Sequence, residues 1–220
     1  MDSKKAQNLA PRSAPVQGRS RERSRQIMDA TSELLEKVGF DDLTTILIAK
    51  AVGISVGSLY HYYPNKHAIM HDIGLRWLED IGLALDSIAA LPVEALSVDD
   101  LLDRILAAHL SVYKKQKAVL TLVQAMFAVP ELRDLDTQHD ELVISRMAEI
   151  FRRSGINRHI KERERLGRFY LEVTHAAFLV IVHQKGQRAR RTMADLKLVM
   201  STWLKHQLAE AGDNGAEGED

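Results

Sequence analysis

The sequence predicts an all-α fold. Apolar residues recur at three- and four-residue steps, Gly and Pro punctuate the stretches between, and no segment alternates like a half-buried strand. No internal repeat is evident. About nine helices follow from that punctuation: a three-helix N-terminal helix-turn-helix domain, then a larger helical domain.

Residues 1–18 contain Pro11, Pro15 and Gly18 with little periodicity and are expected to form a disordered arm. Ile27, Ala30, Leu34 and Val38 then mark one face of a first helix, which Gly39 stops, and Phe40 follows as a core plug. Thr44 or Thr45 can cap a second helix bearing Ile48, Ala49 and Val52, and Gly53 breaks it. Ser55 caps a third helix lasting to about Tyr63, where Pro64 ends it. Asn65 caps a long fourth helix from Lys66 to about Ala90, closed before Pro92. Ser97 and Asp100 resemble a capping box that opens a helix through Tyr113. Further helices are expected over Gln116–Ala128, from Pro130 to about Arg153, over Ile160–Lys185, and over Arg191–Ala211. A turn at Gly155–Asn157 and a stop at Gly186 separate the later ones. The domains expected are the arm (1–18), the helix-turn-helix (19–65), a ligand-binding and dimerisation domain (66–211) and a disordered acidic tail (212–220).

Composition narrows the function. Hydrophobic residues make up 45% and charged residues 27%, an ordinary globular balance. The absence of cysteine excludes disulfides, zinc ribbons and thiol catalysis. Net charge is zero, but Lys4, Lys5, Arg12, Arg19, Arg21, Arg23 and Arg25 crowd the N-terminal end against only Asp2 and Glu22. That end suits an anionic partner. The longest apolar run, near Ala176–Val182, is too short to cross a bilayer, and the N-terminus lacks a signal-peptide apolar region. A cytoplasmic protein without membrane contact is expected, with no cofactor.

The two short helices around Gly53 form a helix-turn-helix candidate. On a 3.6-residue helix Leu59 and Tyr63 share one side, with Val56 close by, so Gly57, Ser58 and His61 face the other way, flanked by Tyr60 and Tyr62. Such a face suits a major groove, where central side chains meet base edges and flanking ones meet phosphates. Glycine at the centre lets the backbone approach, and His61 can donate or accept at a base edge. The helix starts near Thr45 and Lys66 favour phosphate through their dipoles, and the Lys66 ammonium adds charge.

The stretch Thr44–Lys66, T-T-I-L-I-A-K-A-V-G-I-S-V-G-S-L-Y-H-Y-Y-P-N-K, resembles the signature of the tetracycline-repressor (TetR) family, and Gly39–Leu43 fits its link between the first two helices. The likeness covers about Arg21–Met70. It implies DNA contacts at Thr45, Ser55, Val56, Gly57, Ser58, Tyr60, His61, Tyr62 and Lys66. Tyr63 stands where the family commonly has Phe, so its hydroxyl needs a partner.

The resemblance also implies a C-terminal domain that encloses a small-molecule pocket and dimerises through its last two long helices. The first of these carries a stripe of Leu166, Phe169, Tyr170, Val173, Ala177 and Val180, with Gly167, Ala176 and Ala177 allowing close approach. The second carries Met193, Leu196, Met200 and Trp203; the alternative is that both stripes face the core of their own chain. Apolar residues with occasional polar groups make pocket candidates: Trp77, His109, Tyr113, Met126, Phe127, Met147, His175 and Phe178. His67 and His71 stand four apart, but two histidines do not make a metal site and a solvated helix face is the better reading.

The leading function is a ligand-responsive regulator, a repressor that holds a palindromic operator as a homodimer until an apolar or amphipathic effector releases it. Two other classes stay open: a small-molecule carrier or enzyme that borrowed the fold, and an architectural DNA-binding protein. No nucleophile–base pair, phosphate loop or carboxylate dyad stands at a diagnostic spacing.

Overall fold

The computed structural model describes residues 18–156 and 158–216, and among these every long element is a helix. In chain order they are α1 (Gly18–Val38), α2 (Thr45–Val52), α3 (Val56–Tyr62), α4 (Lys66–Ala89), α5 (Val98–Lys115), α6 (Val119–Ala128), α7 (Arg133–Arg153), α8 (Ile160–His183) and α9 (Gly186–Ala216). Short 3₁₀ turns at Val93–Ala95 and Pro130–Leu132 precede α5 and α7. The expected arm, apart from Gly18, and the last four residues of the expected tail lie outside the described residues.

The caps foreseen from sequence are made. Thr44 accepts from the Leu47 N–H at 3.2 Å and Ser55 from Ser58 at 3.0 Å. Asn65 accepts from Ala68 at 2.9 Å, and Ser97 accepts from the Asp100 N–H at 3.1 Å while donating to its carboxylate at 2.7 Å. Gly53, with φ 72°, takes the left-handed conformation that closes α2 and turns the chain toward α3. Several helix limits differ from the expected ones: α5 runs on to Lys115, α6 opens at Val119 rather than Gln116, and a 3₁₀ turn takes Pro130–Leu132 before α7. Helix α8 stops at His183, α9 opens at Gly186 rather than Arg191, and α9 runs on to Ala216. Gly186, at φ 59°, turns the chain in the left-handed conformation and opens α9 directly after the short link from His183.

Contacts divide the chain into two units, and the expected boundary at 65/66 falls inside one of them. The first unit holds residues up to Trp77 together with Gln116–Gln138. Its core gathers Ile27, Leu35, Leu43, Ile48, Leu59, Tyr63, Ile69, Met70 and Trp77, and Val119, Leu122, Met126 and Leu135 are also buried. The α1 stripe needs correction: Thr31 and Leu35 face inward beside Ile27, while Val38 is exposed. A threonine can take this place because its hydroxyl donates to the Ile27 carbonyl at 2.7 Å and leaves nothing polar unpaired. Phe40 is half-buried rather than a core plug. Two ion pairs brace this unit, Arg76–Asp29 at 2.9 Å and Lys117–Glu33 at 2.7 Å. At Gly74 an added Cβ would lie 2.5 Å from Leu135, so α4 and the start of α7 touch there without a side chain between.

The second unit holds Leu78–Lys115 and the residues from His139 onward. Helices α5, α8 and α9 pack on one another around Leu102, Ile105, Leu166, Phe178, Leu196, Met200 and Leu204. Arg153 fastens the end of α4 by donating to the carbonyls of Ala89 and Leu91 while pairing with Glu94. Of the α9 stripe, Leu196 and Met200 are buried in their own unit, whereas Met193 and Trp203 are half-exposed. The large apolar residues left outside on these helices are Ile160 at the start of α8, Phe169, Val180, Leu198 and Val199. Helices α7 and α8 meet at Gly167, where a Cβ would fall 2.8 Å from the Ile144 carbonyl oxygen. Backbone there cannot yield as a flexible side chain would. Gly167→Ala should therefore destabilise the protein by about 1–3 kcal/mol, read as a lowered thermal unfolding midpoint.

Candidate nucleic-acid interface and ligand cluster

Helix α3 is only seven residues long, so its orientation is set by what it buries. Leu59 is 0% exposed and Tyr63 1%, and both face the core of the first unit. The Tyr63 hydroxyl donates to Asp72 on α4 at 3.0 Å, which supplies the partner its extra oxygen requires. Burial and the facing Asp72 charge hold the Tyr63 phenol firmly protonated, and burial raises the Asp72 carboxyl above its ordinary range.

With that side fixed, Ser55, Gly57, Ser58, Tyr60 and His61 are exposed, and Val56 and Tyr62 half-exposed. Tyr60 is braced as well: its hydroxyl lies 3.1 Å from that of Thr45, joining the first turn of α2 to α3. Ser55 and Ser58 hydroxyls lie 2.8 Å apart, and the His61 ring stands edge-on to Tyr62 at 5.9 Å. Lys66 has an additional role. Its ammonium donates to the Phe40 carbonyl at 2.9 Å and sits 4.4 Å from that ring's centre, so it also pins the α1–α2 link to the start of α4.

Gly57 carries the most information. A Cβ there would meet nothing closer than the Ser55 hydroxyl at 3.8 Å, and nothing about packing excludes one. Glycine inside a helix costs about 0.5–1 kcal/mol relative to alanine. The free protein gives no steric reason for that cost, whereas a surface pressed against a groove floor does.

Residues 27–73 match the family described as bacterial regulatory proteins, tetR family, and residues 97–204 match the tetracyclin repressor-like C-terminal domain. The chain belongs to the TetR family. Among relatives of this TetR-family chain, the HTH-type transcriptional regulator BetI 1 of Chromohalobacter salexigens is 30% identical over 135 residues, 60% of this chain and 66% of that one. BetI of Cronobacter sakazakii is 34% identical over 77 residues, 33% of this chain and 38% of that one. The aligned stretches thus span less than two thirds of those relatives. Salmonella enterica GusR shares the fold with a TM-score of 0.68 at 20% identity, over 89% of this chain and all of that one. The TetR-family regulator PfmR of Thermus thermophilus gives 0.58 at 19%, over 83% of this chain and 97% of that one. That family is one of bacterial regulatory proteins, and the two curated relatives are HTH-type transcriptional regulators.

Of the eight pocket candidates, four come together in the second unit. His109 and Tyr113 from α5 meet His175 and Phe178 from α8, with ring centres 5.2–5.7 Å apart. Tyr113 Oη lies 2.5 Å from His175 Nδ1, and His109 Nδ1 lies 3.1 Å from the Tyr170 hydroxyl. His109 is fully buried and its Nε2 has no hydrogen-bond partner. Met147 is buried in the same unit, whereas Trp77 and Met126 are core residues of the first. Phe127 is corrected: it is 59% exposed, on the outer side of the short α6 whose inner side holds Val123 and Met126. Sequence reading missed Tyr170, a dimer-stripe candidate that instead turns inward, and His139, whose ring lies 5.3 Å from His175. Apart from this buried cluster, a concavity of about 480 Å³ between α7 and α8 is lined mainly by charges including Glu141, Lys161, Glu164 and Arg168. The two histidines weighed as a metal pair part company: His67 stacks on Phe40, and His71 Nε2 lies 3.4 Å from Asp134.

Burial pushes the His109 imidazole down to about 3 and that of His175 to about 4, with neighbouring His139 adding repulsion to each. Both are neutral when folded but take up protons near 6.5 when unfolded. Their stabilising contribution is therefore complete above that value and is lost as pH falls through it toward 4. At roughly pH 5 each should cost about 1–2 kcal/mol relative to pH 7. The thermal unfolding midpoint should fall accordingly, and His109→Gln should flatten the slope. Gly57→Ala is expected to raise that midpoint slightly while lowering DNA affinity about tenfold or more in a binding titration.

Proposed function

We propose that the protein is a repressor that holds a near-palindromic operator as a homodimer and lets go when a small molecule occupies its C-terminal domain. The observation that carries the reading is the outward Gly57–His61 surface of α3, backed by the buried Leu59 and Tyr63. His61 and Ser58 meet base edges, while Thr45, Ser55, Tyr60, Tyr62 and Lys66 hold phosphates and fix register. Gly57 and Val56 let the helix lie close to the groove floor.

Dimerisation uses apolar residues that α8 and α9 leave outside, among them Phe169, Val180, Leu198 and Val199. Such a surface is costly in water and natural at a subunit contact. Two heads held about one DNA turn apart then address successive major grooves. The effector binds at the His109–Tyr113–His175–Phe178 cluster, where an unpartnered imidazole nitrogen among aromatic rings offers one directional contact in apolar surroundings. Preferring the released state by about 1–3 kcal/mol suffices to change DNA affinity about 5- to 150-fold.

Titration at fixed salt should find the operator preferred over random DNA by ~10³-fold or more. Equal affinity for both would sink the specific-repressor reading. His61→Ala should reduce that preference while leaving binding to random DNA unchanged.

A further inference from the structure

The first turn of α2 carries an apolar residue with no task in the folded protein. Ile46 is 66% exposed, and the core side of its helix is supplied by Ile48 and Ala49. A β-branched residue gives the helix nothing that alanine would not give better. Its place is what matters. Thr45, the preceding residue, is joined to Tyr60 across 3.1 Å, so this turn adjoins the exposed edge of α3. Ile46 thus stands one residue from the Thr45–Tyr60 tie, and it is far more exposed than Leu47 beside it, which is 36% exposed.

The major groove offers one apolar group, the C5-methyl of thymine. Resting on the reading of α3 as the groove helix, we infer that Ile46 reads a thymine methyl and so determines part of the sequence preference. Burying one methyl between two apolar surfaces changes affinity about three- to tenfold. Contact with sugar or phosphate instead would show no dependence on the base.

The test begins with in vitro selection of DNA by the full chain. Probes of the selected sequence then carry deoxyuridine in place of each thymidine in turn, which removes only the methyl. At one thymidine of the recognition sequence, uracil should weaken wild-type binding about three- to tenfold. Ile46→Ala should bind the two probes alike, at the weaker level, with an unfolding midpoint no lower than that of the wild type. Ile46→Val should retain part of the discrimination. The inference is overturned if uracil is tolerated throughout, if Ile46→Ala still distinguishes the probes, or if it weakens every probe equally. A selection that enriches no sequence defeats the groove-helix reading too, and is recognisable as that separate failure.

Discussion

A helix of seven residues is not stable alone in water, and α3 exists because Leu59 and Tyr63 anchor it in the core beneath. The anchor does more than stabilise. Two inward residues four apart fix the rotation of the helix about its axis, and with it which side chains face out. Tyr63 adds a directional tie to Asp72, and Tyr60 holds the other edge through Thr45. The outward face of α3 is thus held from both edges in the free protein, an arrangement that would lower the ordering cost of any binding it does.

The parts that were legible in the sequence are those written locally. Thr44, Ser55, Asn65 and Ser97 could be read as caps because a cap involves residues two or three apart, and each makes that bond. Burial was harder to read wherever a distant partner decides it. Thr31 looks polar in sequence yet faces inward, because one hydrogen bond inside its own helix satisfies it. Periodicity found an apolar stripe on α9, but could not say whether Leu196 and Met200 met their own chain or another. The tie of Lys66 to the Phe40 carbonyl, which comes in addition to its expected place at a phosphate, spans a separation no local pattern encodes. Four aromatic and imidazole residues gathered because α5 and α8 pack together, while Phe127 falls on the outer side of a short helix.

The histidine cluster places unusual demands on the second unit. Imidazoles among aromatic rings carry polar atoms into a region of low dielectric, where a missed hydrogen bond costs more than it would at the surface. Tyr113 and Tyr170 each satisfy one ring nitrogen. A core of aliphatic residues would fill the same space without that exposure to error, so these polar groups suit recognition better than they suit stability.

The first unit is discontinuous in sequence, since Gln116–Gln138 belongs with the residues ending at Trp77. Its packing has a timetable as a result. During synthesis the helix-turn-helix emerges from the ribosome early, but α6 and the contact of Leu135 with Gly74 cannot form until the chain has reached Gln138. The newborn head must wait, with part of its apolar surface uncovered, while α5 is made. A fragment cut after Trp77 would stay in that immature condition permanently.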